Sequence, residues 1–230
     1  MQAEVSPALL IRHGRKFHIR TYVVIVERPE NDEVLDLYLY HQHEVRVAGV
    51  PVTDNDDATT GTSGTADEAQ QQQQQQRRNR LAHITNGALS SSTERAIMSQ
   101  DPELAHLQPS LDIFVAELFA KHLLPDISRR VTSSRSNNRP SPSSTTTTTT
   151  PVREFAVAGL DLMVTTQGRW YLLEVNVNPG APSQSLSMDE AFATHLETFW
   201  KSLIDLVAGK SSDGFVDVFA ILEQAGITES

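Results

Sequence analysis

Two acidic residues and an asparagine stand in a β-rich stretch where their spacing would let them hold a metal ion. Residues 155–180 form two strand-like runs on either side of Gln167-Gly168, a plausible two-residue turn. In the register that this turn sets, Asp161 faces Glu174, and Asn176 extends the same face. Two carboxylates and an amide oxygen make an all-oxygen ligand set, which is typical of Mg²⁺. The stretch therefore predicts a metal site.

This prediction depends on the register of the hairpin. Like charges directly opposite each other destabilise a sheet by up to roughly 1 kcal/mol, so a bound cation would explain why Asp161 faces Glu174. A three-residue turn or a bulge would move the two carboxylates out of register. The alternative is a half-buried hairpin with a polar outer face. The side chains of the other face are predicted to lie in the core. They are Ala158, Leu160, Leu162 and Val164 on the first strand and Tyr171, Leu173, Val175 and Val177 on the second.

A basic stripe lies in an earlier strand, residues 16–26. Period two puts Lys16, His18 and Arg20 on one face and apolar side chains on the other. Such a stripe could bind phosphates, and the alternative is the solvated outer face of an edge strand. Further strands are expected at Leu35–Tyr40 and at Glu44–Val50, of which the second carries Arg46. His41 and His43 share a strand face, and we expect both to be surface residues because no third metal ligand is suitably spaced.

Composition limits the classes of protein to which the chain can belong. A net charge of −10 over 230 residues argues against a general nucleic-acid binder, which needs a basic surface. No apolar run approaches the roughly 18 residues that span a bilayer, and the start lacks the pattern of a signal peptide. We therefore expect a cytoplasmic protein without a membrane partner. The lack of cysteine excludes disulfides and cysteine-ligated zinc.

Two low-complexity stretches interrupt the patterned sequence. Residues 54–80 include seven consecutive glutamines, residues 128–151 include six consecutive threonines, and neither has an apolar period. We expect both to be disordered insertions in one domain over residues 1–208, followed by a C-terminal tail at 209–230. Helical patterns over roughly 109–124 and after a capping box at Ser187 and Glu190, mixed with antiparallel hairpins, predict an α+β fold.

Four segments, in order along the chain, resemble the tubulin–tyrosine ligase-like family of ATP-grasp enzymes. They are residues 9–23 (Leu-Leu-Ile, then Gly-Arg-Lys-Phe-His-Ile-Arg-Thr-Tyr-Val), His83-Ile84-Thr85-Asn86, Gly159-Leu160-Asp161 and Leu173-Glu174-Val175-Asn176-Val177-Asn178-Pro179. The resemblance covers essentially all the patterned sequence. It implies the C-terminal lobe of an ATP-grasp fold, a mainly antiparallel sheet packed with helices.

The resemblance implies an ATP- and Mg²⁺-dependent ligase. In this family, ATP phosphorylates a carboxylate to an acyl phosphate, and an amine then displaces the phosphate to leave an amide bond. The implied roles are Mg²⁺ binding by Asp161, Glu174 and Asn176, nucleotide binding by Lys16, His18, Thr85 and Asn86, and catalysis at the transferred phosphate by Arg20 and Arg46. Charge stabilisation of this kind is the main requirement of phosphoryl transfer.

The resemblance also implies partners and leaves alternatives open. A free amino acid would be joined to a protein, with tubulin or microtubules as the expected acceptor and a cytoskeletal location. Glycine, glutamate and tyrosine all remain open as the amino acid. His18 stands where many members carry aspartate, and the N-terminal lobe of the fold is expected to be missing. The alternative function is therefore a non-catalytic module that binds Mg-nucleotide or protein.

Overall fold

The structure is a computed structural model that describes residues 7–28, 31–52, 94–123, 154–177, 179 and 190–227. Seven strands of these residues form one sheet: β1 (Phe17–Arg28), β2 (Asn31–Tyr40), β3 (Glu44–Val47), β4 (Glu94–Ile97), β5 (Phe155–Val164), β6 (Trp170–Val177) and β7 (Phe215–Asp217). The α-helices are α1 (Gln108–Glu117), α2 (Glu190–Val207) and α3 (Val218–Gln224). Helix α1 continues as a π-helix over Leu118–Leu123, and single 3₁₀ turns cover Met98–Gln100 and Ala105–Leu107.

The twelve-residue strand β1 has three neighbours in the sheet. It pairs antiparallel with β3 through Phe17–Arg20, antiparallel with β2 from Val23 onward, and also with β5. Strand β4 is antiparallel to β3, and β7 is antiparallel to β2. A large antiparallel sheet packed with three helices confirms the predicted α+β class. The predicted insertions at 54–80 and 128–151 lie outside the described residues, as does Ser187 of the predicted capping box.

The chain divides into two compact units. The first comprises Met1–Arg20, His43–Ala105 and Leu160–Glu174, and the second comprises Thr21–Gln42, His106–Gly159 and Val175–Ser230. Alternation on β1 and β3 builds the core of the first unit, where Phe17 and Ile19 are directly opposite Val47 and Val45, and all four are buried. The predicted apolar face thus packs as expected from a strand period of two.

The core of the second unit is an aromatic and aliphatic cluster. Tyr22, Val24 and Val26 of β1 and Tyr40 of β2 are clustered with Phe199, Leu203 and Leu206 of α2 and with Phe215 of β7. The ring of Phe199 lies 4.9 Å from that of Tyr22 and meets the ring of Tyr40 edge-on at 5.0 Å, measured between ring centroids. The last long helix, which the sequence predicts, therefore packs its apolar side chains largely into this core, although its Trp200 is exposed.

Three details differ from the sequence predictions or extend them. On the hairpin, Ala158, Leu160, Leu162 and Val164 are buried as predicted, but the core prediction for Tyr171, Val175 and Val177 is wrong, because these side chains are exposed. Strand β6 has β5 as its sole partner among the described strands, which makes it an edge with less cover. After the predicted domain boundary at residue 208, β7 pairs with β2 and α3 buries Val218 and Leu222.

Candidate functional site

The basic stripe of β1 faces a charged stripe of β3 within the first unit. The antiparallel register puts His18 directly opposite Arg46 and Arg20 directly opposite Glu44. Lys16 directly precedes β1, and its carbonyl accepts a hydrogen bond from Ala48 N–H at 2.8 Å. Arg95 of β4 joins them as the cross-strand partner of Arg46. The structure thus brings together three of the predicted basic residues, His18, Arg20 and Arg46, and adds the buried carboxylate of Glu44.

Arg20 forms a two-pronged ion pair with the predicted metal ligand Asp161. Its Nε donates to Oδ1 of the carboxylate, and its Nη2 donates to Oδ2 at 2.6 Å. Both side chains are about nine-tenths buried, and this geometry is the strongest form of an arginine–carboxylate contact. Burial acts to raise the pKa of Asp161, but hydrogen bonding from Arg20 and the charge of Arg20 outweigh it, and the pKa is lowered. Asp161 is therefore ionised at neutral pH.

The hairpin turn is one residue longer than predicted. Thr165 N–H donates to the carbonyl of Arg169 and Gly168 N–H donates to the carbonyl of Thr165, so Thr166, Gln167 and Gly168 form the loop. Gly168 has a φ of 75°, the left-handed conformation that ends a three-residue hairpin loop with a bulge. The prediction of a two-residue turn was wrong, because the sequence Gln167-Gly168 is compatible with both a two-residue and a three-residue loop.

Asp161 and Glu174 still meet despite the changed turn. An interaction with the Glu174 side chain is among the causes that lower the pKa of Asp161, so the two side chains lie close together. The charge argument for a metal needs correction, however, because Arg20 already neutralises Asp161. Asn176, the third predicted ligand, lies further along β6 in the second unit, and its role stays a prediction. Thr85 and Asn86 lie outside the described residues.

The two carboxylates meet part of what Mg²⁺ requires of its ligands. This ion is commonly held by one or two carboxylates, with waters and substrate phosphates completing the shell. Asp161 and Glu174 fit that pattern in kind, and Asp161 has the required ionised form. Across the described part of the chain, no group of three or more His, Cys, Asp or Glu side chains is placed to hold a metal. Two carboxylates leave the other coordination positions of Mg²⁺ to waters, substrate phosphates or further oxygen ligands such as the predicted Asn176.

His18 is buried beside the ion pair, with its Nε2 3.6 Å from Oδ1 of Asp161. The pKa of His18 is lowered from 6.5 to about 4, mainly by burial and in smaller part by Arg46 and Arg20, whereas Asp161 and Glu44 act to raise it. The imidazole is thus neutral at pH 7. It places a hydrogen-bonding group on the face without adding charge.

Glu44 is the site residue that the sequence analysis missed. Its carboxylate is completely buried, and its Oε2 accepts from Nη2 of Arg46 at 3.0 Å. The signal was present in the sequence, because a period of two from Arg46 puts Glu44 on the same strand face. His43 was also misjudged: predicted to be at the surface, it is buried, and β2 ends at Tyr40 before either histidine.

An ion-pair network fixes the loop that leads into β1. Arg12 pairs with Glu94 and with buried Asp101, both at 2.5 Å, and its backbone N–H donates to Glu103. Arg12 and His13 have φ values of 48° and 65°, a left-handed conformation that non-glycine residues rarely adopt. The surrounding contacts hold this strained loop, and Lys16 follows it directly, with its carbonyl bonded to Ala48 N–H.

A cavity of about 320 Å³ in the second unit is separate from these residues. It is lined by Leu39, His41, Pro109, Asp112, Ile113, Val216, Ile221, Gln224 and Ala225. No lysine or arginine is among these described lining residues, so the cavity lacks the positive charge that a phosphate needs. The predicted site residues do not line it.

Comparison with known families agrees with the resemblance. The family model of the tubulin-tyrosine ligase family matches residues 5–199, and the chain belongs to this family. The matched range includes every predicted site residue. No individual curated protein matches the chain. Members of the family are generally ATP-dependent carboxylate–amine ligases of the ATP-grasp type. None of the helices in the described residues is long and apolar enough to cross a membrane.

Proposed function

We propose that this member of the tubulin-tyrosine ligase family is an ATP- and Mg²⁺-dependent ligase that joins a free amino acid to a protein through an acyl phosphate. Tubulin, on microtubules in the cytoplasm, is the proposed acceptor. The observation that carries the proposal is that Arg20 and Arg46 share one sheet face and that Arg20 pairs with Asp161, whose carboxylate interacts with Glu174. Cations that bind phosphate thus stand beside ligands that suit Mg²⁺.

The basic side chains would stabilise charge during both steps. When the substrate carboxylate attacks the γ-phosphorus of ATP, ADP leaves and an acyl phosphate forms; when the amine attacks the acyl carbon, phosphate leaves and the amine loses a proton. Lys16 and Arg20 would contact the transferred phosphate, and Arg46 would contact the acyl phosphate. Mg²⁺ would supply further charge neutralisation between the ATP phosphates. Fixed cations lower the barrier because they need not reorganise during the reaction.

The position of His18 fits a nucleotide contact that needs no charge. Many family members have aspartate at this position, whereas the buried imidazole is neutral at pH 7. A neutral ring can donate one hydrogen bond and accept another. We propose that His18 helps to orient the nucleotide, while Asp161 and Glu174 supply the negative charge that attracts Mg²⁺.

A non-catalytic Mg-nucleotide-binding module is the second candidate. The observation that favours it is the Arg20–Asp161 pair, in which both carboxylate oxygens accept from one guanidinium. In that arrangement Arg20 is engaged by the protein and not by a phosphate. Such a module would bind Mg-ATP without forming an amide bond.

The test compares Glu174→Gln with Glu197→Gln, an exposed glutamate on α2. Calorimetric titration with Mg-ATP, followed by assays of phosphate release and of labelled amino-acid incorporation into tubulin, measures binding and ligation separately. We expect Glu174→Gln to weaken Mg-ATP binding about tenfold or more, as losing a ligand or its support typically does, and Glu197→Gln to have no effect. Equal effects would contradict the metal assignment. Mg-ATP binding without incorporation would favour the non-catalytic candidate.

A further inference from the structure

The buried carboxylate of Glu44 lies between two arginines of the proposed site. Its cross-strand partner is Arg20, and its Oε2 accepts from Nη2 of Arg46 at 3.0 Å. A completely buried carboxylate is costly unless it is paired and hydrogen-bonded. The charge of Glu44 is therefore tied to the arginines of this face.

Arg46 has a donor left over after this contact. The guanidinium is about nine-tenths buried, and its Nε is buried without a hydrogen-bond partner among the described residues. A buried N–H without an acceptor is unfavourable, so a ligand oxygen that reached Nε would stabilise it. An oxyanion is the natural acceptor for a guanidinium N–H.

The two observations together separate the functions of the Arg46 donors. Glu44 uses Nη2 and so fixes the plane of the guanidinium, which leaves Nε–H at a defined position. Arg46 and Arg95 are directly opposite each other on neighbouring strands. Repulsion between these like charges would otherwise move the Arg46 side chain away. Neighbouring Glu44 offsets that repulsion and holds Arg46 in place.

We infer that Glu44 is a positioning residue, which fixes Arg46 so that its Nε–H meets an oxygen of the acyl phosphate. The inference rests on the proposed function and adds a residue to it. Without Glu44, Arg46 would remain cationic but would rotate among several orientations. Loss of orientation slows a reaction even where the charge is unchanged, and a displacement of about 1 Å can cost about a hundredfold.

The experiment uses the full chain labelled with ¹⁵N-arginine and follows the Nε–H resonance of Arg46 during titration with inorganic phosphate. Arg46→Lys assigns the resonance by its loss. Glu44→Gln removes the charge with little change in shape, and Glu94→Gln is the matched control because Glu94 also pairs with arginines, Arg12 and Arg15, in the same unit. Amino-acid incorporation gives kcat and KM for each variant.

We expect the Arg46 signal to shift with phosphate in the wild type and in Glu94→Gln, and to broaden without a specific shift in Glu44→Gln. The kcat of Glu44→Gln should fall about tenfold to a hundredfold, with KM for ATP changed less than about twofold. A merely structural role would instead lower the fraction of folded protein and leave the phosphate response of that fraction intact. If Glu44→Gln does not fold, Glu44→Asp, which keeps the charge but shortens the side chain, should show the same broadening.

The outcomes distinguish this inference from the proposed function. If phosphate does not shift Arg46 in the wild type, Arg46 is not an oxyanion donor, and both the inference and the proposed role of Arg46 fail. If phosphate shifts the resonance equally in the wild type, Glu94→Gln and the folded Glu44 variant, the positioning role alone is overturned.

Discussion

The two halves of β1 have the same strand geometry but carry different kinds of side chain on the face of the even-numbered residues. The first even-numbered positions are polar: Lys16, which directly precedes the strand, then His18 and Arg20. The next ones, Tyr22, Val24 and Val26, are apolar and join the core of the second unit. Odd-numbered positions are buried on both sides of this change from Phe17 to Val23. Burying an ionised group is costly unless it is paired, and in the first half the buried charges are paired, as Arg20 is with Asp161. The chemistry is therefore confined to the half whose even-numbered face carries paired charges.

The largest change in the free energy of unfolding should come from removing a side chain that packs against the apolar half of β1. Phe199→Ala removes the ring that contacts Tyr22 and Tyr40, and we expect a loss of about 3–5 kcal/mol in the free energy of unfolding. Lys16→Gln, on the polar face, should change it by less than about 0.5 kcal/mol. Urea denaturation of both variants measures the contrast. Similar losses in the two variants would remove the distinction between the halves.

The second largest effect is a dependence of stability on pH, which comes from buried titratable groups in and around the charged half of β1. Because the pKa of His18 is lowered from 6.5 to about 4 on folding, the unfolded chain binds the proton more tightly. Stability is therefore complete above pH 6.5 and falls as the pH drops toward 4, by roughly 3 kcal/mol at most. Below 3.8, Asp161 adds a further loss, because its pKa is also lowered by folding.

Urea denaturation as a function of pH tests this dependence. His18→Gln should flatten the curve between pH 6.5 and 4 and leave the loss below 3.8 in place. Asp161→Asn should reduce the acid loss below 3.8. A wild-type curve that is level between pH 6.5 and 4 would contradict the burial of His18.

The smallest change in stability is expected from loss of the helix cap near the C-terminal end of the second unit. Asp217 caps α3, since its Oδ1 accepts from Phe219 N–H at 2.7 Å and from Ala220 N–H at 3.4 Å. Asp217→Ala should lower the unfolding free energy by about 1 kcal/mol, whereas Asp217→Asn should retain most of it. Thermal unfolding, with Asp213→Ala at an exposed position as the control, detects the difference. Equal melting temperatures for the Ala and Asn variants would show that the cap contributes nothing.

The sequence predicted the faces of strands better than it predicted their ends and partners. The alternation around Lys16, His18 and Arg20 follows from a period of two and needs no tertiary information. The length of the turn at Gly168 and the exposure of Tyr171 depend on bulge geometry and on neighbouring strands, which no local pattern contains. Glu44 was missed because its importance comes from its partner across the sheet, and pairing between β1 and β3 cannot be read from either strand alone.

The alternation of β1 has a consequence for the kinds of sequence change that the protein can tolerate. Adding or removing one residue between Phe17 and Arg20 would exchange the two faces of the strand beyond that point. Charged side chains would then point into the core of the first unit, and Phe17 or Ile19 would occupy the polar face. Point substitutions can alter the site and the core separately, whereas a single-residue insertion or deletion here would damage both at once. We therefore expect β1 to vary by substitution and to keep its length.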